Sequence, residues 1–298
     1  MRILLPSLAG LLGLAFGSFL NVCLSRWPSG ESVVRPSSHC RACGRTLSWW
    51  ENVPVVSWIA LRGRCRTCKA VIGWRYPLVE LAVGVGWALI AAQYMQTQNS
   101  DVSDFDFQYQ VFACLGQMAF LWLLAALAVL DLENLWLPDK LTISGIAIGS
   151  LLQIAKGTRI AFSHVPHSAS RASFLWHQLQ PVLWQLLIGI GVSAALILFI
   201  RWTYWLVRRR EGMGLGDAKL MAMLGAWLGL EGALLSFAIG VLLGALIGLL
   251  VLIRGGRGNL TQSTQTKMPL GTFLCIGGII SALWGQPIIA AYLHFIGL

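Results

Sequence analysis

The chain has 298 residues, 56% of them hydrophobic and only 11% charged, where a soluble domain of this length carries about 25% charge. Its apolar residues fall in long blocks, which excludes an ordinary water-soluble domain. The formal net charge of +10 raises nucleic acid as a partner, but no recognition motif accompanies it, and the basic residues are distributed by topology instead.

Runs 3–25, 77–95, 111–130, 181–200, 232–253 and 270–296 are largely apolar, each near the roughly 20 residues a helix needs to cross a bilayer. Segments 141–155 and 218–231 are shorter and rich in Gly and Ala, as suits helices packed closely against protein. The expected fold is an all-α membrane protein of about eight transmembrane helices, with a polar loop between helices 1 and 2. The first run has one positive residue, Arg2, no small-x-small cleavage site and a basic tract after it; it reads as a retained span, not a signal peptide.

From Arg26 to Arg75 there are nine Lys/Arg against two acids, whereas 96–110 carries Asp101, Asp104 and Asp106 with no Lys/Arg. With the N-terminus outside, 18 of the 22 Lys/Arg lie on one face, which the positive-inside rule makes cytoplasmic. The basic surplus therefore points to a multi-pass protein of the bacterial inner membrane, in contact with membrane lipid and its anionic headgroups, and not with nucleic acid. The outer loop is expected at 156–180, with His164, His167 and His177 as solvated residues, and a flexible connector at 254–267.

Cys40-Arg-Ala-Cys43 and Cys65-Arg-Thr-Cys68 are two CxxC pairs separated by 21 residues. Each pair offers one edge of a tetrahedral four-thiolate shell. In a reducing compartment structural disulfides are rare, so a structural Zn2+ explains the four cysteines better than redox pairs do. The neighbours Arg41, Arg64, Arg66 and Lys69 offset the charge of such a site. His39 reads as a neighbour; Cys23, Cys114 and Cys275 read as small apolar residues in or beside spans.

Only twelve acids exist, and acids at membrane spans are costly. Asp131 closes one apolar run and opens a segment leading to Pro138 and Asp139; Asp217 closes Gly212-Met-Gly-Leu-Gly-Asp217-Ala-Lys219. On the eight-span topology both lie at cytoplasmic helix ends. Two carboxylates at one depth can share a proton, one drawing a proton from water and the other donating to a carbonyl oxygen. Gly214 and Gly216 allow close approach of a helix or of an extended substrate. The residues alone leave three readings open: a dyad enzyme, a transporter using the same acids, and loop acids with Asp217 capping a helix.

At these positions the sequence resembles the type IV prepilin peptidase family. The matching blocks are Gly17-Ser-Phe-Leu-Asn-Val22 with Arg26 and Pro28, the two CxxC pairs, Arg75-Tyr-Pro-Leu-Val-Glu80, Asp131 with Leu137-Pro138-Asp139, Gly212 to Leu220, and Met268-Pro-Leu-Gly-Thr-Phe273. The resemblance implies catalytic aspartates at Asp131 and Asp217, with Gly214, Gly216, Asp139, Lys219 and Glu80 as substrate-contacting or supporting residues. It also implies zinc ligands at Cys40, Cys43, Cys65 and Cys68. It implies leader cleavage of prepilins or pseudopilins at the cytoplasmic membrane face, followed by N-methylation with S-adenosylmethionine, for which no glycine-rich strand–helix fingerprint is present. Residues 1–95 would then form the first span, the four-cysteine loop and the second span associated with methyl transfer, and 96–298 a six-span aspartic peptidase region. A transporter and a non-catalytic assembly scaffold are the alternatives.

Overall fold

A computed structural model describes residues 3–96, 104–163, 171–209, 214–254 and 268–297. Helices dominate it: α1 Leu4–Arg26, α2 Val56–Ala60, α3 Arg75–Gln96, α4 Asp104–Asn134, α5 Asp139–Ser163, α6 Arg171–Arg208, α7 Leu215–Arg254 and α8 Leu270–Phe295. No strand occurs among the described residues; two isolated antiparallel bridges lie in the loop after α1. Among the described residues six helices are long and apolar enough to cross a membrane, which makes this an all-α, multi-pass membrane protein. Both weaker candidates are helical: 141–155 lies within α5, and 218–231 opens α7 and runs through its break.

That break is at Gly229, whose φ of 70° and ψ of −177° belong to a region only glycine occupies freely. The two arms of α7 run in opposite directions. The first follows α5, with Lys219 meeting Asp139 and Trp227 meeting Gly145 and Gln153. The second runs against α8, with Gly248 beside Met268, Gly240 beside Leu274, and Gly277 against Ser236. Since α5 and α8 both start near Asp131, the arms must be antiparallel.

The expected outer loop 156–180 is mostly helix: α5 continues to Ser163 and α6 opens at Arg171. Its residues are largely helix-compatible, and a polar helix can extend past the hydrocarbon. His177 sits exposed on α6; His164, His167 and nearly all of the connector 254–267 lie outside the described residues.

The chain divides into two compact units, Met1–Ala126 and Leu127–Leu298. In the first, α1 and α3 cross antiparallel along small residues. A side chain at Gly13 would strike the Gly84 backbone at 2.9 Å, and one at Gly17 the Glu80 backbone at 2.7 Å. Trp87 Nε1 donates to the Met118 carbonyl at 2.9 Å, so this tryptophan buries its ring without orphaning its N–H. In the second unit, Gly225 lies on the Gly189 carbonyl and Gly277 on that of Ser236. Between membrane helices, such backbone approach replaces the hydrophobic drive that lipid removes.

Candidate active site and metal centre

The loop after α1 folds both CxxC segments into the same knuckle. Cys40 N donates to the Arg45 carbonyl at 2.9 Å and Gly44 N to the Cys40 carbonyl at 2.8 Å; Cys65 N donates to Ala70 at 2.8 Å and Lys69 N to Cys65 at 3.1 Å. The residue after each second cysteine turns with positive φ: Gly44 at 69° and Lys69 at 59°. The four ligand sulfurs lie within 4.8 Å of one another, and Cys40 Sγ and Cys68 Sγ are 3.7 Å apart. A tetrahedron with Zn–S bonds of about 2.3 Å has edges of about 3.8 Å, so the geometry fits a metal such as zinc. Backbone N–H groups of Cys68 and Thr67 hold the Cys65 thiol down to about 6, and those of Cys43 and Ala42 lower Cys40, favouring thiolates at these two positions; at Cys68 the Ala70 N–H is outweighed by burial and the neighbouring sulfurs, which push its thiol up to about 11. His39 instead contacts the Ser37 carbonyl.

Around this cluster the loop is tied by charge and aromatic contacts. Arg45 bonds buried Glu51 at 2.7 Å, and Glu51 also accepts from Ser48 N at 2.8 Å. Arg45, then the Ser48 N–H, hold the Glu51 carboxyl down to about 2. Arg66 lies 5.3 Å over the Trp50 ring. Glu80, on α3, is buried and accepts from Val55 N at 2.7 Å, so it also pins the loop.

The second unit gathers the acids. Asp131 is 6% and Asp217 8% exposed. Thr272 donates its N–H to Asp131 Oδ2 at 2.7 Å and its hydroxyl to the same oxygen at 3.2 Å; that hydroxyl also reaches the Ala128 carbonyl at 2.9 Å. The N-terminus of α8 thus lies on the Asp131 carboxylate, where backbone N–H groups favour an anion. Asp217 is the third residue of α7 and accepts from the Gly214 N–H. It caps its own helix while lying within electrostatic reach of Asp131. Cys275, fully buried, lies within reach of both; Cys23 is buried too, and Cys114 half-buried.

Leu137 is the wedge in this arrangement. A side chain at Gly216 would meet Leu137 Cβ at 3.1 Å, and one at Gly271 would meet Leu137 Cδ1 at 3.0 Å and Asp131 Oδ2 at 2.9 Å. Gly214 and Gly216 therefore serve close approach, of a backbone donor to Asp217 and of Leu137 to α7. Asp139 opens α5 and takes Lys219 Nζ at 2.6 Å in a half-exposed pair, so it has its own partner. The sequence reasoning missed Gly271 and Thr272 as site residues. The block Met268–Phe273 stands out in the sequence, but nothing in the chain order marks which acid its residues meet.

Comparison with known proteins bears on both units. Residues 11–94 match the model of the Bacterial Peptidase A24 N-terminal domain, and residues 118–249 that of the Type IV leader peptidase family. The chain is 33% identical to the Prepilin leader peptidase/N-methyltransferase of Stutzerimonas stutzeri, over 95% of this chain and 92% of that protein. Proteins of the same name from Pseudomonas aeruginosa and Aeromonas hydrophila are 33% and 34% identical, each over 96% of this chain and 93% of the relative. No solved structure gives a significant match.

Proposed function

This chain belongs to the type IV leader peptidase family, and from that premise we propose that it cuts the leader peptide from type IV prepilins or pseudopilins and then methylates the new N-terminus. The observation that carries the reading is the convergence of Asp131, Asp217 and the start of α8 at one place in the second unit. Two close carboxylates share a proton more cheaply than they both ionise. The ionised one takes a proton from water as the water attacks the peptide carbonyl, and its protonated partner donates to the carbonyl oxygen. Thr272 and Gly271 orient Asp131. Gly214 orients Asp217, and the Lys219–Asp139 pair holds the start of α7 against α5. Gly214, where an added Cβ would meet nothing closer than Asp217 Oδ2 at 3.7 Å, leaves room for an extended substrate backbone, whereas Gly216 is taken up by Leu137.

The positive-inside distribution supports the cytoplasmic face of the inner membrane as the place of this chemistry, on an eight-span topology in which the two arms of α7 would count separately. Residues 1–95 would serve methyl transfer and 96–298 cleavage. Cys40, Cys43, Cys65 and Cys68 would hold Zn2+. Four thiolates leave no open position, so its contribution is to staple a loop too small to fold on its own. S-adenosylmethionine would supply an electrophilic methyl group.

Asp131→Asn and Asp217→Asn test the dyad. Each should lower cleavage of a pilin precursor by about 10³-fold or more while metal content stays at wild-type level. Near-normal cutting by either variant ends the dyad assignment. A transporter reading instead predicts ion flux that both variants abolish, without any precursor cleavage by the wild type.

A further inference from the structure

Glu80 is a carboxylate inside a membrane-capable helix, 7% exposed, five residues beyond the start of α3. Such a group is expensive in a bilayer and ordinarily has a cationic partner. Here its partners are the Val55 N–H, the Ser18 hydroxyl and the Asn21 side chain, all neutral. No lysine or arginine among the described residues pairs with it. Arg26, at the matching end of α1, spends its guanidinium on the carbonyls of Ser32 and Pro36, at 2.9 and 2.7 Å. Beside Glu80, Asn21 is 2% exposed. Its Nδ2 donates to the Tyr76 carbonyl at 2.9 Å, but its Oδ1 is buried without any donor. An orphaned buried acceptor has lost its water and gained nothing in exchange, a standing cost to the folded state. A carboxylate without a cation and an amide oxygen without a donor, side by side, lack the same thing: a positively charged N–H group.

The cover over this pair is strained. Val55, whose N–H occupies Glu80 Oε2, has φ 59° and ψ −49°, and Val56 N bonds the Pro54 carbonyl across it. That is the γ-turn form seldom adopted, least of all by a β-branched residue. Its N–H holds a position that a stronger donor can take over.

We propose that Glu80 and Asn21 form the subsite for a peptide α-ammonium group, the new N-terminus that methylation requires, and that Val55 is displaced when the amine enters. This deepens the methyl-transfer reading and rests on it. The ammonium gives one proton to a Glu80 oxygen and keeps a lone pair on nitrogen. The methyl group comes from a sulfonium donor, whose C–S bond breaks with its electron pair left on sulfur as the N–C bond forms.

The test uses full-length enzyme in lipid nanodiscs. Glu80→Gln keeps an acceptor for Val55 N and removes the charge. It should retain zinc, and the precursor it cuts should leave without an added methyl, read by mass. Independently of the variant's folding, a peptide with a mature pilin N-terminus should bind wild type at least about tenfold more tightly than its N-acetylated form, as a charge-assisted hydrogen bond requires. Glu80→Gln should erase that ratio. Normal methylation by Glu80→Gln overturns the proposal, and so does equal binding of both peptides to wild type, the outcome expected if the pair holds a metal cation. Wild-type enzyme that cuts but never methylates instead removes the reading on which the proposal rests.

Discussion

The cysteine loop and the acid site are built by opposite means. In the loop, ligands arrive in pairs, the two cysteines of each separated by two residues; each pair is shaped by its own backbone hydrogen bonds, and the two knuckles repeat one geometry. In the second unit, Asp131 and Asp217 come from different helices. What unites them is nonlocal: an α8 N-terminus on one carboxylate, a glycine N–H on the other, and Leu137 wedged against Gly216 and Gly271. The first site is ordered locally and gathers four sulfurs that could hold a metal ion; the second depends on helices with no room for a Cβ. One should therefore fail when a ligand is lost and the other when packing is disturbed.

Cys65→Ser should have the largest effect. Removing one of four thiolates forfeits much of a binding free energy on the order of 10 kcal/mol. Elemental analysis should show metal lost, and limited proteolysis should show cleavage within 27–74, while helices of the second unit stay protected. Loss of protection in both units together would break the comparison.

Gly271→Ala comes next and makes the opposite demand. The added methyl sits 2.9 Å from Asp131 Oδ2 and displaces the carboxylate by a fraction of an ångström. A misplacement of about 1 Å costs about 10²-fold in rate, so precursor cleavage should fall by about tenfold to 10²-fold with metal content intact. Thr272→Val, which deletes one neutral donor to the same oxygen, should cost about tenfold, and Thr272→Ser should restore most of it.

Glu51 sharpens the picture of the loop through pH. Its carboxyl, held by Arg45 and the Ser48 N–H, is lowered to about 2 from 4.5. A depressed folded value means stabilisation that is complete above the ordinary value and lost as pH falls toward the depressed one. The extra protease resistance of wild type over Glu51→Gln should be full above pH 4.5 and vanish toward pH 2. Smallest is Lys69→Gly. Lys69 holds the positive φ that glycine holds in the first knuckle, at about 1 kcal/mol, so chelator competition should find metal affinity raised about fivefold.

This contrast explains what could be read from the chain directly. Spacing alone identifies Cys40, Cys43, Cys65 and Cys68 as one cluster, because a knuckle is a local object. The helices were legible for the same reason: apolar runs of bilayer length have few other uses. The acids were visible as rare charges at span ends, but their neighbours were not. Thr272 lies 141 residues from Asp131, and no local pattern records that α8 begins there. The reversal within α7 was legible only in part: 218–231 and 232–253 read as separate segments with Glu231 at their junction, but Gly229, one of 32 glycines, carries no mark of the break. Only the chain's need to turn distinguishes it.

That reversal has a consequence for the surrounding lipid. The arm from Leu215 to Leu228 has 14 residues and reaches about 21 Å, against a hydrocarbon layer of about 30 Å. Hydrophobic mismatch of that size is relieved by local thinning of the membrane or by water entering above the break. Leu220 to Ala226 of this arm are buried among protein, so the adjustment falls over the break at Gly229, and acyl-chain length becomes a variable at that end of the arm.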